Sequence, residues 1–423
     1  MRGPRLRLFR LEKLTGRDAG LIALSITAAA AAYLATADSP AIATAATIAV
    51  STTTGMYSRL AMGRWRAAAQ ILGCATLVSA LGAPPRLVGV LLIVGLAGEG
   101  LIARQAHRSA ILAVSACTAL IACIASISGV AATVALPGRV VLSEGVAAMI
   151  GGFLSAPLML TLAPMAEGLF GHITPLTMNE WLSYEHPLLR QLASTAPGTF
   201  QHSVNVGVLA DAAAGAIGAD PLLARVGGLY HDVGKVNAPE YFIENQHEGN
   251  PHDGLDPAES ARILQAHVFD GVELVNRYRM GERIANFVRE HHGSGQMRSL
   301  RAKAEALGRP VDGDTYRYPG PRPRSRETGI LMIADQLEAT ARSETPPDEA
   351  ACDALVRDTI ARIQGDRQLD DAALTVGDLA LAERAFSRAL QAMYHRRVPY
   401  PSQGDGPSRR RLIFPSRPRR TVA

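Results

Sequence analysis

His231 and Asp232 stand side by side in GGLYHDVGKVNAP (227–239), and Lys235 follows three residues on. Imidazole and carboxylate side chains hold divalent first-row metals. A lysine one helical turn from an aspartate lies on the same side, within reach of an anion. One such pair is weak evidence, because polar neighbours on a helix usually face water. The theme recurs, however. His202 lies in PGTFQHSVNVGVLA, His267 in ARILQAHVFDGVELV, His291-His292 at the end of IANFVREHHG, and Asp335 in GILMIADQLEAT. An aspartate within that last apolar run is expensive to bury unless it is paired or bound to metal. The series H, HD, H, HH, D runs from 202 to 335, and most of its members sit beside apolar core positions. Five short segments that each bring a ligand to one place would make a metal site.

Positioning them takes a helical scaffold. From 184 onward the pattern is one of amphipathic helices with explicit start signals. Asp220-Pro221 reads as N-cap plus first-turn proline, and Asp256-Pro257-Ala258-Glu259 adds a capping box. Thr375 with Asp378 is a weaker version, and Gly218 and Gly293 fall where helices end. Strand alternation is nearly absent, so 199–398 reads as an all-α domain, with 171–198 as its connector.

The first part of the chain differs. Between 19 and 170 the acids are Asp38, Glu99, Glu144 and Glu167 alone, with seven Arg and no Lys. Runs of Ala, Leu, Ile and Val fill six stretches near the length needed to cross a bilayer: 19–37, 41–57, 67–83, 87–103, 109–134 and 140–162. Small residues allow close packing of such helices. Basic residues gather at alternate loops: Arg2, Arg5, Arg7, Arg10, Lys13 and Arg17 before the first span, Arg59, Arg64 and Arg66 in the second loop, Arg104 and Arg108 in the fourth. The bias predicts six spans with both termini inside. Glu99 and Glu144 are expected to face the bundle interior or the interface. The four cysteines form no CxxC pair, which argues against a disulfide framework or a zinc finger. The fold class expected is therefore all-α: a polytopic transmembrane bundle of about six spans (19–170) behind a short basic tail (1–18), then an α-helical domain (199–398) and a basic, Pro/Ser/Gly-rich tail (399–423).

The ordered series resembles the HD-domain metal-dependent phosphohydrolases, with HDVGK as their hallmark. Its nearer resemblance is to the membrane-bound, seven-transmembrane type that cleaves cyclic di-AMP. The stretches that carry it are HPLLRQLASTAPGTFQHS (186–203), ADPLLARVGGLYHDVGK (219–235), YFIENQ (241–246), HDGLDPAESARILQAHVFDGVELV (252–275), REHHG (289–293), YRYPGPRPRSRE (316–327) and ADQLEA (334–339). Members of that type begin with one more span and a large extracytoplasmic domain, neither of which is read here. Gln201 stands where the family often has a second histidine and is not expected to be a ligand.

The resemblance implies seven ligands for two divalent ions, Mn or Fe by ligand type, with zinc as the alternative. His202, His231, Asp232 and Asp335 would hold one ion. His267, His291 and His292 would hold the other, with Asp232 bridging. Lys235 would assist at a phosphate or leaving oxygen. Tyr318 would stack on a base, Arg324 and Arg326 would bind a second phosphate, and Glu290 would support the ligands. The implied activity is hydrolysis of cyclic di-AMP to linear pApA at the inner (plasma) membrane, with the HD domain cytoplasmic. Cyclic di-GMP, another nucleotide, a non-catalytic dinucleotide receptor and a regulated transporter are the alternatives. The HHGSG run at 291–295 departs from the HHE signature of cyclic di-GMP enzymes. Anionic membrane lipids are expected partners of the basic tails. A homo-oligomer is the further partner considered, and a nucleic-acid polymer is not expected.

Overall fold

The computed structural model describes residues 14–102, 108–133, 137–246, 249–311, 313–346 and 348–394. The basic tail 399–423, most of the N-terminal tail and Arg104 lie outside the described residues. Among the described residues the fold is helical throughout, with one isolated β-bridge between Gln296 and Arg317.

Six helices form the first part: α1 (Gly16–Ala35), α2 (Pro40–Met62), α3 (Arg64–Ala80), α4 (Pro85–Ile102), α5 (Arg108–Thr133) and α6 (Gly138–Phe170). They fall on the six expected segments, and among the described residues α1, α4, α5 and α6 are by length and composition apolar enough to cross a membrane. The other two are less apolar or shorter: α3 has 17 residues, and α2 buries a polar stripe that includes Thr44, Thr47, Ser51 and Thr52. Small residues set the packing. A Cβ on Gly151 would stand 2.4 Å from the Ala45 carbonyl oxygen, and one on Gly152 would stand 2.7 Å from the Ala119 Cα. Thus α6 lies directly against the backbones of α2 and α5. Both suspect carboxylates are buried with partners. Glu99 lies 3.6 Å from the Arg59 guanidinium, and Glu144 accepts a hydrogen bond from Thr44 Oγ1 at 3.0 Å.

The chain leaves the bundle through a stitched junction. Asp18 accepts from His172 Nε2 at 2.9 Å and lies 3.3 Å from Arg66, while Glu167 accepts from Thr174 and Thr177. Then come α7 (Pro175–Trp181), α8 (Pro187–Thr195), α9 (Pro197–Ile217), α10 (Pro221–Tyr230), α11 (Pro257–Arg277), α12 (Gly281–Glu290), α13 (Arg298–Ala306), α14 (Arg326–Glu344), α15 (Glu349–Gly365) and α16 (Val376–Tyr394). Their core includes Leu189, Leu209, Tyr230, Phe287, Ile333 and Phe386. The Asp220 and Asp256 caps form, on Leu223 N and Ala258 N. Among the described residues Glu259 does not complete the second as a box, whereas Thr375 and Asp378 cap each other reciprocally. α9 crosses α10 where Gly228 meets the Gly207 backbone; a Cβ on Gly228 would be 2.5 Å from Gly207 Cα. That contact brings His202 beside His231.

Candidate metal centre

His202 projects from α9, His231 and Asp232 from the end of α10, His267 from α11, His291 and His292 from the end of α12, and Asp335 from α14. Directly after Asp232 the chain tightens into a 3-10 turn, Val233–Asn237, which packs on α11. Gly234 is required there: a Cβ would sit 1.9 Å from His267 O and 2.6 Å from Gly271 N. This close approach sets Asp232 and Lys235 beside His267.

Asp232, 1% exposed, is the hub. Its Oδ2 lies 3.2 Å from His231 Nε2, 3.6 Å from His202 Nε2 and 2.7 Å from Lys235 Nζ. Its Oδ1 lies 3.4 Å from His267 Nε2 and 3.5 Å from His291 Nε2. Asp335 Oδ1 is 3.1 Å from His202 Nε2 and 3.7 Å from His231 Nε2, and its Oδ2 is 3.7 Å from His292 Nδ1. By ligand-atom spacing the residues sort into two groups that share Asp232: His202 with His231, and His267 with His291 and His292.

The donor set fits a metal. His231 Nδ1 donates to Gly228 O and His291 Nδ1 to Val288 O, each at 2.7 Å, and His267 Nδ1 donates to Leu264 O. Each ring is thereby turned with Nε2 toward the cluster, the arrangement of metal-ligating histidines. His231 Nε2 and Asp232 Oδ1 are buried without a hydrogen-bond partner, and an ion would satisfy both.

Charge follows from the same geometry. Burial works to raise the Asp232 carboxyl, but Lys235 and His231 outweigh it and hold it well below the carboxylate range. Burial likewise opposes Asp335, which His202 and His231 hold low. Burial depresses His267 to about 3 despite Asp232, and depresses His292 as well, so both rings stay neutral. Burial opposes protonation of His231 too, but there Asp232 prevails and pushes it up to about 10.

Residues 199–340 match the family model of the HD domain. The C-terminal half carries an HD domain. The chain is homologous to "Cyclic-di-AMP phosphodiesterase PgpH" of Bacillus subtilis, at 37% identity over 254 residues, 60% of this chain and 36% of that protein. It is 36% identical over 259 residues to the protein of the same description from Listeria monocytogenes, covering 61% of this chain and 36% of that one. The matches thus span little more than a third of each relative. A crystal structure of the L. monocytogenes PgpH HD domain in complex with cyclic-di-AMP is 37% identical and covers 51% of this chain and all of that one, with a TM-score of 0.48. HD domains are metal-dependent, and the His/Asp cluster is where this one could bind metal.

Not every residue singled out in the sequence reaches the cluster. Lys235 does; Asp232 and Glu244 keep its ammonium charged against the pull of burial. Tyr318 does, its ring stacked on His292 at 4.0 Å. Arg324 is exposed, and its backbone N–H donates to Glu290 Oε2 at 2.9 Å. Glu290 therefore braces this loop instead of a ligand ring. Arg326 is not brought to the site. Its guanidinium donates to Ile217 O at 2.6 Å and Asp378 Oδ1 at 2.9 Å, tying α14 to α9 and α16, and this replaces the expected phosphate contact. Gln201 is exposed and donates to Asn205.

Two site residues went unread in the sequence. Glu338 takes the His202 Nδ1 proton donor and accepts from Asn205 at 3.2 Å. Its signal was its place one helical turn after Asp335. Glu244 accepts from Lys235 Nζ at 2.8 Å and from Thr199 Oγ1 at 2.8 Å. It lies in a loop of 3-10 turns, where periodicity offers no guide.

Proposed function

We propose that the protein is a membrane-anchored, metal-dependent phosphodiesterase that opens cyclic di-AMP to linear pApA, with the HD domain on the cytoplasmic side of the plasma membrane. The observation that carries the reading is the buried cluster in which Asp232 belongs to both ligand groups. It supports two divalent ions: His202, His231, Asp232 and Asp335 on one, Asp232, His267, His291 and His292 on the other. A carboxylate offers two oxygens and can bridge, whereas an imidazole cannot. Mixed N/O donors favour Mn or Fe. The adenine preference rests on the PgpH relatives.

Bound ions of this kind neutralise phosphate oxygens and acidify water. The chain's own residues do the rest. Neutral His267 and His292 keep their lone pairs available, and the carboxylates stay ionised at neutral pH. Lys235 Nζ, 10% exposed at its side chain, would meet a phosphate or leaving oxygen. Tyr318 offers a ring beside His292 on which a base can stack. Arg324, exposed on the following loop, is the candidate for the distal phosphate.

The test uses the full chain in lipid nanodiscs, loaded anaerobically with Mn or Fe and given cyclic di-AMP and cyclic di-GMP in parallel. Chromatography should show pApA from the first, abolished by Asp232→Ala and by chelation. Equal cleavage of both would remove the base preference, and cleavage of neither by fully loaded protein would refute the activity.

A further inference from the structure

We propose that Glu244 is a positioning residue: it is the second counter-ion of Lys235, and it holds the ammonium beside the metal ligands without letting it monopolise Asp232. Only the activity arm of the test below rests on the phosphodiesterase reading.

Lys235 Nζ lies 2.7 Å from Asp232 Oδ2 and 2.8 Å from Glu244 Oε1, with the Phe242 ring centre 4.7 Å away. Asp232 Oδ2 is also the oxygen nearest His231 and His202, so it is the one a metal in that group would need. A lone ammonium at that distance competes with the metal for the same oxygen. A second carboxylate on the far side divides its attraction and fixes its position. Glu244 is well built for this, since its side chain is 5% exposed.

The chain spends several contacts on placing it. Thr199 Oγ1 donates to the same Glu244 Oε1 at 2.8 Å. Asn245 Oδ1 accepts from Thr199 N at 3.1 Å, and Asn245 Nδ2 donates to Thr199 Oγ1 at 2.9 Å. α9 has alanine at its N-cap, Ala196, and therefore no cap of its own. Asn245 supplies that cap from 46 residues away. Gly198 makes the approach possible, because a Cβ there would lie 1.9 Å from Glu244 O. Thr199 stands one turn before His202 on the same helix. The turn at Ile243–Asn245 thus links the lysine to the helix that presents a metal ligand.

The experiment is a double-mutant cycle on the full chain in nanodiscs, with Glu244→Gln, Lys235→Ala and the pair, read by Mn affinity and by cyclic di-AMP turnover. Glutamine keeps the size and the Thr199 hydrogen bond, so a merely structural role predicts no change. Glu244→Gln should weaken Mn binding about five- to tenfold and lower kcat about tenfold, and both effects should vanish in the Lys235→Ala background. Unchanged Mn affinity, or an equal loss in both backgrounds, overturns the proposal. If the Mn cycle is coupled but the parent chain leaves cyclic di-AMP intact, the phosphodiesterase reading fails and the role of Glu244 stands.

Discussion

Replacing Glu338 by alanine tests the metal-site geometry through a residue that would touch no metal. Glu338 is 2% exposed, and its carboxylate receives His202 Nδ1–H and Asn205 Nδ2. Burial opposes its charge, but the His202 hydrogen bond wins and keeps it ionised below the usual range. Without it, the His202 ring loses the partner that fixes both its tautomer and its angle. Outer partners of ligating histidines contribute about 10- to 100-fold to metal affinity or activity. That factor is about 1.4–2.7 kcal/mol, which agrees with the ~1.5–3 kcal/mol of a hydrogen bond to a charged group. Glu338→Ala should therefore lose metal about 10- to 100-fold more readily in dialysis against graded chelator, and Glu338→Gln, which can still accept, less. Arg342 also reaches Glu338, at 3.8 Å, but its side chain is 37% exposed, so Arg342→Ala should change loading little. Parent-like metal retention by Glu338→Ala would show that His202 is oriented some other way, or is not a ligand.

Other perturbations separate the remaining parts. Gly234→Ala pushes a methyl against two backbone atoms of α11, so it should cost at least about 1–3 kcal/mol in thermal unfolding and reduce metal loading, while Gly254→Ala, with open space at its Cβ, should do neither. Tyr318→Ala should raise the KM for cyclic di-AMP about tenfold with metal content unchanged, given ~1–3 kcal/mol per stacked base. Arg324→Ala should also act on KM, whereas Arg326→Ala should lower thermal stability by about 1–3 kcal/mol through loss of its bonds to Asp378 Oδ1 and Ile217 O. In chelator-stripped protein, stability should peak near pH 6.5. Above it, stabilisation from His231 is lost as pH rises toward about 10; below it, His267 is protonated only in the unfolded chain, so stability falls as pH drops toward about 3. Unfolding midpoints that climb steadily from pH 6.5 to 10 would contradict this, and added Mn should favour the alkaline side, since ligating histidines must be unprotonated.

The sequence displayed what is periodic or chemically rare. Apolar runs, cap residues and seven His/Asp positions could be read because each departs from its background: a carboxylate inside GILMIADQLEAT needs a reason. What it hid depends on contacts between distant segments. Nothing local says that Arg326 turns toward Asp378, that Asn245 caps a helix 46 residues earlier, or that Arg59 answers Glu99. Packing within the bundle is hidden for a related reason. Hydropathy measures preference for lipid, but α2 lies among its neighbours and buries threonine and serine hydroxyls there, so its sequence also records protein packing. The same logic explains why Glu338 and Glu244 went unread. A ligand is conspicuous because it is polar where apolar residues are expected. A residue that orients a ligand looks like any other glutamate until the fold supplies its partner. In Lys235 the two cases meet: the lysine is legible in HDVGK, but whether it serves a phosphate or holds Asp232 depends on Glu244, and only the folded chain brings that carboxylate within 2.8 Å.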